Sequence, residues 1–214
     1  LNSSIPQPLN PFPMNFPLSL RRVLVLDLET SGLDPVAHGI LEIGAAPLDP
    51  ARAGETYHRE IALQWWTEWD PGAEKVHGLT KGEASDPRRH SESIAVEQLL
   101  DWIDDTALGD LQGRAILAGA NPRFDYDFLR AAAARADLLD RFTGLVSHRT
   151  IDLHTLAVAY AAPRGLYDET DSNPRGLDRL HTDLVYEMLG QSPEAKPHRA
   201  LEGVRRESLA LLEL

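Results

Sequence analysis

The patterned part of the chain begins with an apolar run, Val23, Leu24, Val25 and Leu26, which predicts a strand buried on both faces. Two stretches follow after short turns, GILEIGAAPLD (39–49) and ETYHREIAL (55–63), and predict an antiparallel meander with the first strand. The period then changes. SIAVEQLLDWIDD (93–105) carries apolar residues at helical spacing and predicts an amphipathic helix. AILAG (115–119) reads as a short buried strand, and the alanine-rich PRFDYDFLRAAAARADLL after it as a helix with Pro122 near its start. TIDLHTLAVAYAA predicts a short strand and a helix, and GLDRLHTDLVYEML (176–189) and PHRALEGVRRESLALLEL (197–214) two closing helices. A meander followed by alternating strands and helices predicts an α/β domain with a mixed sheet flanked by helices.

Before this pattern, residues 1–20 hold five of the fifteen prolines, at 6, 8, 11, 13 and 17. Proline at that density admits neither a helix nor a central strand, so an extended or disordered tail is expected, with the domain over 21–214. A partner-docking arm is the alternative. The tail lacks a basic start and a continuous apolar stretch of signal-peptide length, so the expected location is cytoplasmic. The 214 residues suit one domain with a sizeable core. No apolar run approaches the ~20 residues that span a bilayer. The absence of cysteine excludes disulfides and thiolate metal sites. A net charge of −12 argues against a protein that grips nucleic acid over its whole surface. It leaves room for a nucleic-acid enzyme in which bound cations and a local arginine cluster meet the phosphates.

Chemistry enters where the first strand ends. Asp27 and Glu29 interrupt the apolar run two residues apart, so both side chains leave the same face. Like charges held that close repel, and burying either unpaired is costly. Either the strand has run into solvent, or a hard divalent cation such as Mg²⁺ or Mn²⁺ turns the repulsion into ligation. In AGANPRFDYDFL, Asp125 stands in the first turn of a helix, where the helix dipole favours an acid. It also stands at a strand-to-helix junction, where α/β folds build sites. If that strand neighbours the first, Asp125 faces Asp27 and Glu29. His198, at the start of the last helix, is a candidate base for a metal site that splits phosphate esters, although a lone histidine is more often a surface or capping residue.

The run LDLETSGLDP…ILEIGAAPLD, then VHGLT, NPRFDYDFL, TIDLHTLA and HRAL, resembles the DEDDh family of 3′–5′ exonucleases. That family includes the proofreading subunit of bacterial replicative polymerases, ribonuclease T and oligoribonuclease. The resemblance runs in order over roughly residues 22–210. It implies a ribonuclease H-like fold with a five-stranded mixed sheet and two divalent cations, Mg²⁺ or Mn²⁺. It implies that Asp27, Glu29 and Asp125 ligate metal, that His198 is the general base, and that Thr30 and Leu33 border the terminal nucleotide. The implied substrate is the 3′ end of single-stranded DNA or RNA.

One position departs from the resemblance. The family's fourth carboxylate is an Asp five residues after the His, and here that position is Gly203. Glu202 and Glu207 are the candidate substitutes. One helical residue turns Glu202 about 100° away from the site. Glu207 lies one turn on, on roughly the same face, and helical side chains lean toward the N-terminus. Tyr167 and Asp171 carry the spacing of a tyrosine variant of the last motif, but between prolines, in what reads as a loop.

Trp65, Trp66 and Trp69 crowd one segment, with packing as the expectation and base stacking as the alternative. His77 of VHGLT is assigned no chemistry. Arg164, Arg175, Arg179, Arg199, Arg205 and Arg206 make the last third more basic, either as ordinary surface charge or as a phosphate-binding cluster. Two functions remain in view: a metal-dependent 3′–5′ exonuclease, or a degenerate relative that binds nucleic-acid ends or a protein partner through the same cleft. Gly203 favours the second, the retained Asp27, Glu29, Asp125 and His198 the first.

Overall fold

Strand β1, Val23–Thr30, runs through the middle of a five-stranded mixed sheet ordered β3-β2-β1-β4-β5. The computed structural model describes residues 20–108, 113–164, 181–193 and 196–214. The proline-rich tail up to residue 19, the Tyr167 and Asp171 pair, Arg175 and Arg179 lie outside the described residues. On one side β1 pairs antiparallel with β2 (Ile40–Pro47), which pairs antiparallel with β3 (Tyr57–Glu60), the expected meander. On the other side it pairs parallel with β4 (Ala115–Gly119), which pairs parallel with β5 (Val146–Asp152).

Alternation along β1 sorts the molecule into two helical layers. Leu24, Leu26 and Leu28 point into a core with α3 (Glu92–Trp102), α4 (Pro122–Arg135) and α5 (Leu139–Leu145), where Leu99, Phe128 and Phe142 are fully buried. Val23 and Val25 point the other way, into a core with α6 (Leu153–Ala161), α7 (Thr182–Met188) and α8 (Ala200–Glu213). A period of two puts Asp27 and Glu29 on this second face, beyond the valines. The strand is therefore apolar under the middle of α8 and acidic under its start.

Three short helices were not foreseen: α1 (Pro71–His77), α2 (Lys81–Ala84) and α5. The first two are defined by their ends rather than by an apolar stripe. Asp70 caps α1 with Pro71 in its first turn, Gly78 closes it at φ 68°, and Thr80 and Glu83 form a reciprocal capping box on α2. The 93–105 helix keeps α geometry to Trp102 and continues as a π-helical stretch, Ile103–Leu108. The last helix starts at Ala200 after an extended Arg199, which corrects the expected 197–214 helix and leaves His198 ahead of it.

Packing describes two of the three clustered tryptophans. Trp69 is half-buried and donates its Nε1–H to Glu74 (2.9 Å), and Trp66 lies under the Arg135 guanidinium (4.2 Å to the ring centre). Trp65 corrects the expectation: it is 95% exposed. The segment turns on Thr67, whose hydroxyl donates to the Gln64 carbonyl, and this turn leaves the Trp65 indole outside.

Candidate active site

The parallel pairing of β1 with β4 ends at Val25 opposite Ala118, and the carboxyl ends of the two strands part. A crevice at such a point is where α/β sheets accept ligands. Here a cleft of about 570 Å³ opens, lined by Asp27, Glu29, Ala120, His198, Gly203 and Glu207 among others. The start of α8 roofs it.

Two glycines bring that roof close. Asp27 and Gly44 are directly opposed across β1 and β2. A Cβ on Gly44 would stand 2.6 Å from the Ala200 carbonyl oxygen, so the first turn of α8 rests on bare backbone. A Cβ on Gly203 would run into the Asp27 carboxylate and stand 3.0 Å from its Cγ. Position 203 therefore does face the acidic pair, and the Asp27 side chain occupies the space that a residue-203 side chain would need.

Of the two candidate substitutes, the cleft takes one. Glu202 points out, 3.6 Å from Arg205. Glu207, one turn further along α8, is 5% exposed, lines the cleft, and accepts the Ala120 N–H through Oε1 (3.0 Å). A Cβ on Gly119 would stand 2.6 Å from the Glu207 Oε2 and 3.3 Å from the Leu26 carbonyl oxygen, so this carboxylate lies beside β1 just ahead of Asp27.

Asp125 is buried beside the pair rather than in the open cleft. Burial pushes its carboxyl up to about 8, against hydrogen bonds from its own backbone N–H and that of Leu28, which sits between Asp27 and Glu29. Its helix starts at Asn121, held at φ 56° with no side-chain cap of its own. The Asn121 N–H donates to Asp152 instead (3.1 Å), which also caps α6 through Thr155. Burial raises the Asp152 carboxyl, and these hydrogen bonds outweigh it and hold the group below the usual range. The TIDLH corner thus fixes where α4, and with it Asp125, begins.

His198 is set by VHGLT. Its backbone N–H donates to the Val76 carbonyl (3.2 Å), and Pro197 packs on Gly78, where a Cβ would stand 2.8 Å from the ring. His77 itself is structural. It is 1% exposed, edges onto Trp69, and accepts the Leu79 N–H at Nδ1 (3.0 Å). Burial, then the positive field of Arg199, pushes its pKa down.

Thr30 and Leu33 do not line the cleft. Thr30 is buried and donates its hydroxyl to the Gly32 carbonyl (2.7 Å), and Leu33 stands exposed on the loop beyond. Sequence reasoning missed His181, Thr182 and Asp183, the start of α7, which border the cleft from the other side. The pattern puts them inside one helix over 176–189; the helix instead starts at Thr182, with His181 as its cap, and His181 Nδ1 accepts the Leu184 N–H. It also missed Glu42, opposite Glu29 on β2 and 2% exposed, with His58 at 2.7 Å and Arg199 at 3.8 Å from its two oxygens. This buried acid ties the residue after His198 to the sheet.

The donor set, carboxylate oxygens with one imidazole and no sulfur, has the chemistry of a site for hard cations. Among the described residues no three such side chains stand close enough, as placed, to form a ready-made cage.

Residues 24–205 match the RNase_T family, described as Exonuclease. A PolC-type DNA polymerase III from Thermotoga maritima is 29% identical over 182 residues, 85% of this chain and 11% of that protein. Ribonuclease T from Buchnera aphidicola subsp. Schizaphis graminum is 29% identical over 143 residues, 63% of this chain and 64% of that one. The chain thus spans less than two thirds of either relative. Among solved structures, E. coli Exonuclease I in complex with a dT13 oligonucleotide superposes with a TM-score of 0.66 at 18% identity, covering 89% of this chain and 40% of that one. At that identity the likeness is one of fold.

Proposed function

The chain belongs to the DEDDh-type 3′–5′ exonuclease family, and from that membership we propose that it is a metal-dependent exonuclease hydrolysing phosphodiester bonds at the 3′ ends of single-stranded DNA or RNA. The observation that carries this reading is one cleft holding Asp27, Glu29 and His198 at the carboxyl end of the central strand. Asp27, Glu29 and Asp125 would hold Mg²⁺ or Mn²⁺, with Glu207 the added carboxylate on α8. Bound cations supply the positive charge that activates water and stabilises the leaving oxygen in phosphate-ester hydrolysis.

The rest falls to the chain's own residues. His198, on a backbone pinned to Val76, accepts the proton of the attacking water. Asp125, whose carboxyl is raised by burial, favours its charged form once positive charge is beside it. Glu42 keeps Arg199, and so the approach to His198, against the sheet. Oligonucleotide-bound Exonuclease I supports a single strand as the substrate.

A second reading has its own observation, the lack of a carboxylate at Gly203, and makes the cleft a binding module for nucleic-acid ends or a protein partner. The deciding experiment incubates 5′-labelled single-stranded DNA and RNA with Mg²⁺, Mn²⁺ or chelator. Shortening from the 3′ end with metal, and its loss in Asp27→Asn and His198→Ala, is expected. Substrate that is bound but stays intact under every condition would establish the binding module instead.

A further inference from the structure

Trp65 stands 95% exposed and Val36 79% exposed, on two loops that are otherwise held firmly. Arg135 joins them. Its Nη1 donates to the Pro35 carbonyl (2.9 Å), its Nε and Nη2 donate to the two Glu92 oxygens (both 2.9 Å), and its plane covers Trp66. The Glu68 N–H donates to the Ala37 carbonyl and the Asp70 N–H to the Ser31 carbonyl, both at 2.8 Å. The neighbours on either side of Val36 and Trp65 are thus fixed, and these two side chains are left outside. A lone exposed apolar residue needs no account, but an indole and a valine left outside on two loops bonded to each other call for one.

Both loops are joined in the chain to elements of the cleft. The first loop leaves β1 directly after Glu29 and Thr30. The second runs into α1, whose Val76 lines the cleft and whose carbonyl holds His198. The flanking exposed charges, Asp34 and Glu68, are acidic and unsuited to phosphate. Arg135, the nearby cation, is already engaged. An aromatic face takes any unpaired base, with its phosphates turned away from these acids.

On the exonuclease reading above, we propose that Trp65, with Val36 beside it, is a stacking platform for an unpaired base of a single strand whose 3′ end lies in the cleft. The platform serves nucleotides upstream of the reacting end. It holds the strand without reading its sequence, since every base has a face to stack. The bases turn inward there and the phosphates outward, away from Asp34 and Glu68.

The test measures binding of a thymidine dinucleotide and a thymidine octanucleotide in Ca²⁺ to the whole chain and to Trp65→Ala and Trp65→Phe. The indole makes no buried contact, so its truncation leaves the packing in place. Trp65→Ala should weaken the octanucleotide about tenfold, the size of one base–aromatic stack, and leave the dinucleotide unaffected. Trp65→Phe should recover most of the loss. The octanucleotide should also quench the longest-wavelength tryptophan emission of the wild type, and not that of Trp65→Ala. Equal octanucleotide affinity in wild type and Trp65→Ala overturns the platform while the exonuclease reading stands. A wild type that neither binds nor cuts any oligonucleotide overturns both.

Discussion

At position 203 a missing carboxylate and a close contact are the same fact. The Asp27 carboxylate fills the place that a side chain on Gly203 would take, and Glu207 enters the cleft one turn later. Gly203→Asp brings a second anion against Asp27, so without metal the two repel. In chelator the variant should melt below wild type, although Asp is the better helix former. Mn²⁺ should restore it, and at fixed Mg²⁺ its nuclease rate should rise. Melting temperatures in chelator and Mn²⁺, with rates across a Mg²⁺ series, check this; a variant whose melting temperature responds to Mn²⁺ no more than that of wild type would contradict it. His77 gives a pH prediction outside the cleft. Its pKa is lowered in the fold, so the stability it contributes is present above the unfolded value near 6.5 and is lost as pH falls from there through the lower folded value. Protonation also removes the Nδ1 lone pair that accepts the Leu79 N–H. Between pH 7 and pH 5, wild type should lose more melting temperature than His77→Gln, at about 2–4 °C per kcal/mol for a chain of this size. The Asp27 and Glu29 pair was legible because it breaks an apolar strand. Glu42 was not, because an acid alternating with apolar residues looks solvated until its neighbours are known.

The site depends on how α8 begins more than on any one acid. Ala200 rests on Gly44, Gly203 on Asp27, His198 hangs from Val76, and Arg199 faces the buried Glu42. A methyl at position 44 cannot be absorbed by a rotamer change, because what it meets is the Ala200 backbone. Gly44→Ala should therefore lift the start of α8, costing about 1–3 kcal/mol by overpacking. It should lower nuclease activity more than tenfold with the far-UV circular dichroism kept; full activity would show that the start of α8 tolerates displacement. At this scale the strands, α3, α4 and α6 were readable from period and length. The short α1 and α2 were not, since their signal is a cap at each end and four to seven residues between. Their importance was hidden too: the VHGLT corner shows no chemistry of its own, and its part in placing His198 appears only once Pro197 and Gly78 meet.

Across the whole molecule, charge limits how a strand can be held. The chain carries −12, and four described arginines of its last third have partners within the molecule. Arg164 lies over Tyr160, Arg199 faces Glu42, Arg205 faces Glu202, and Arg206 lies over Tyr186 while bonding the Pro193 carbonyl. Six arginines of this stretch stood out as a candidate phosphate cluster, but that these four have partners was not readable, because each partner comes from the local turn or from the sheet. A protein so arranged can release few counterions when it takes up a strand, so cations in the cleft and stacking must supply the attraction. For single strands the logarithm of affinity falls with the logarithm of salt by about 0.7 per phosphate neutralised. One or two such contacts predict a slope of roughly −1. Oligonucleotide affinities measured from low to moderate NaCl at constant Ca²⁺ give that slope directly. A value several times steeper would mean that arginines now tied to Glu42, Glu202 and the aromatic rings are released to the phosphates on binding, and that the strand reorganises the closing helices as it docks.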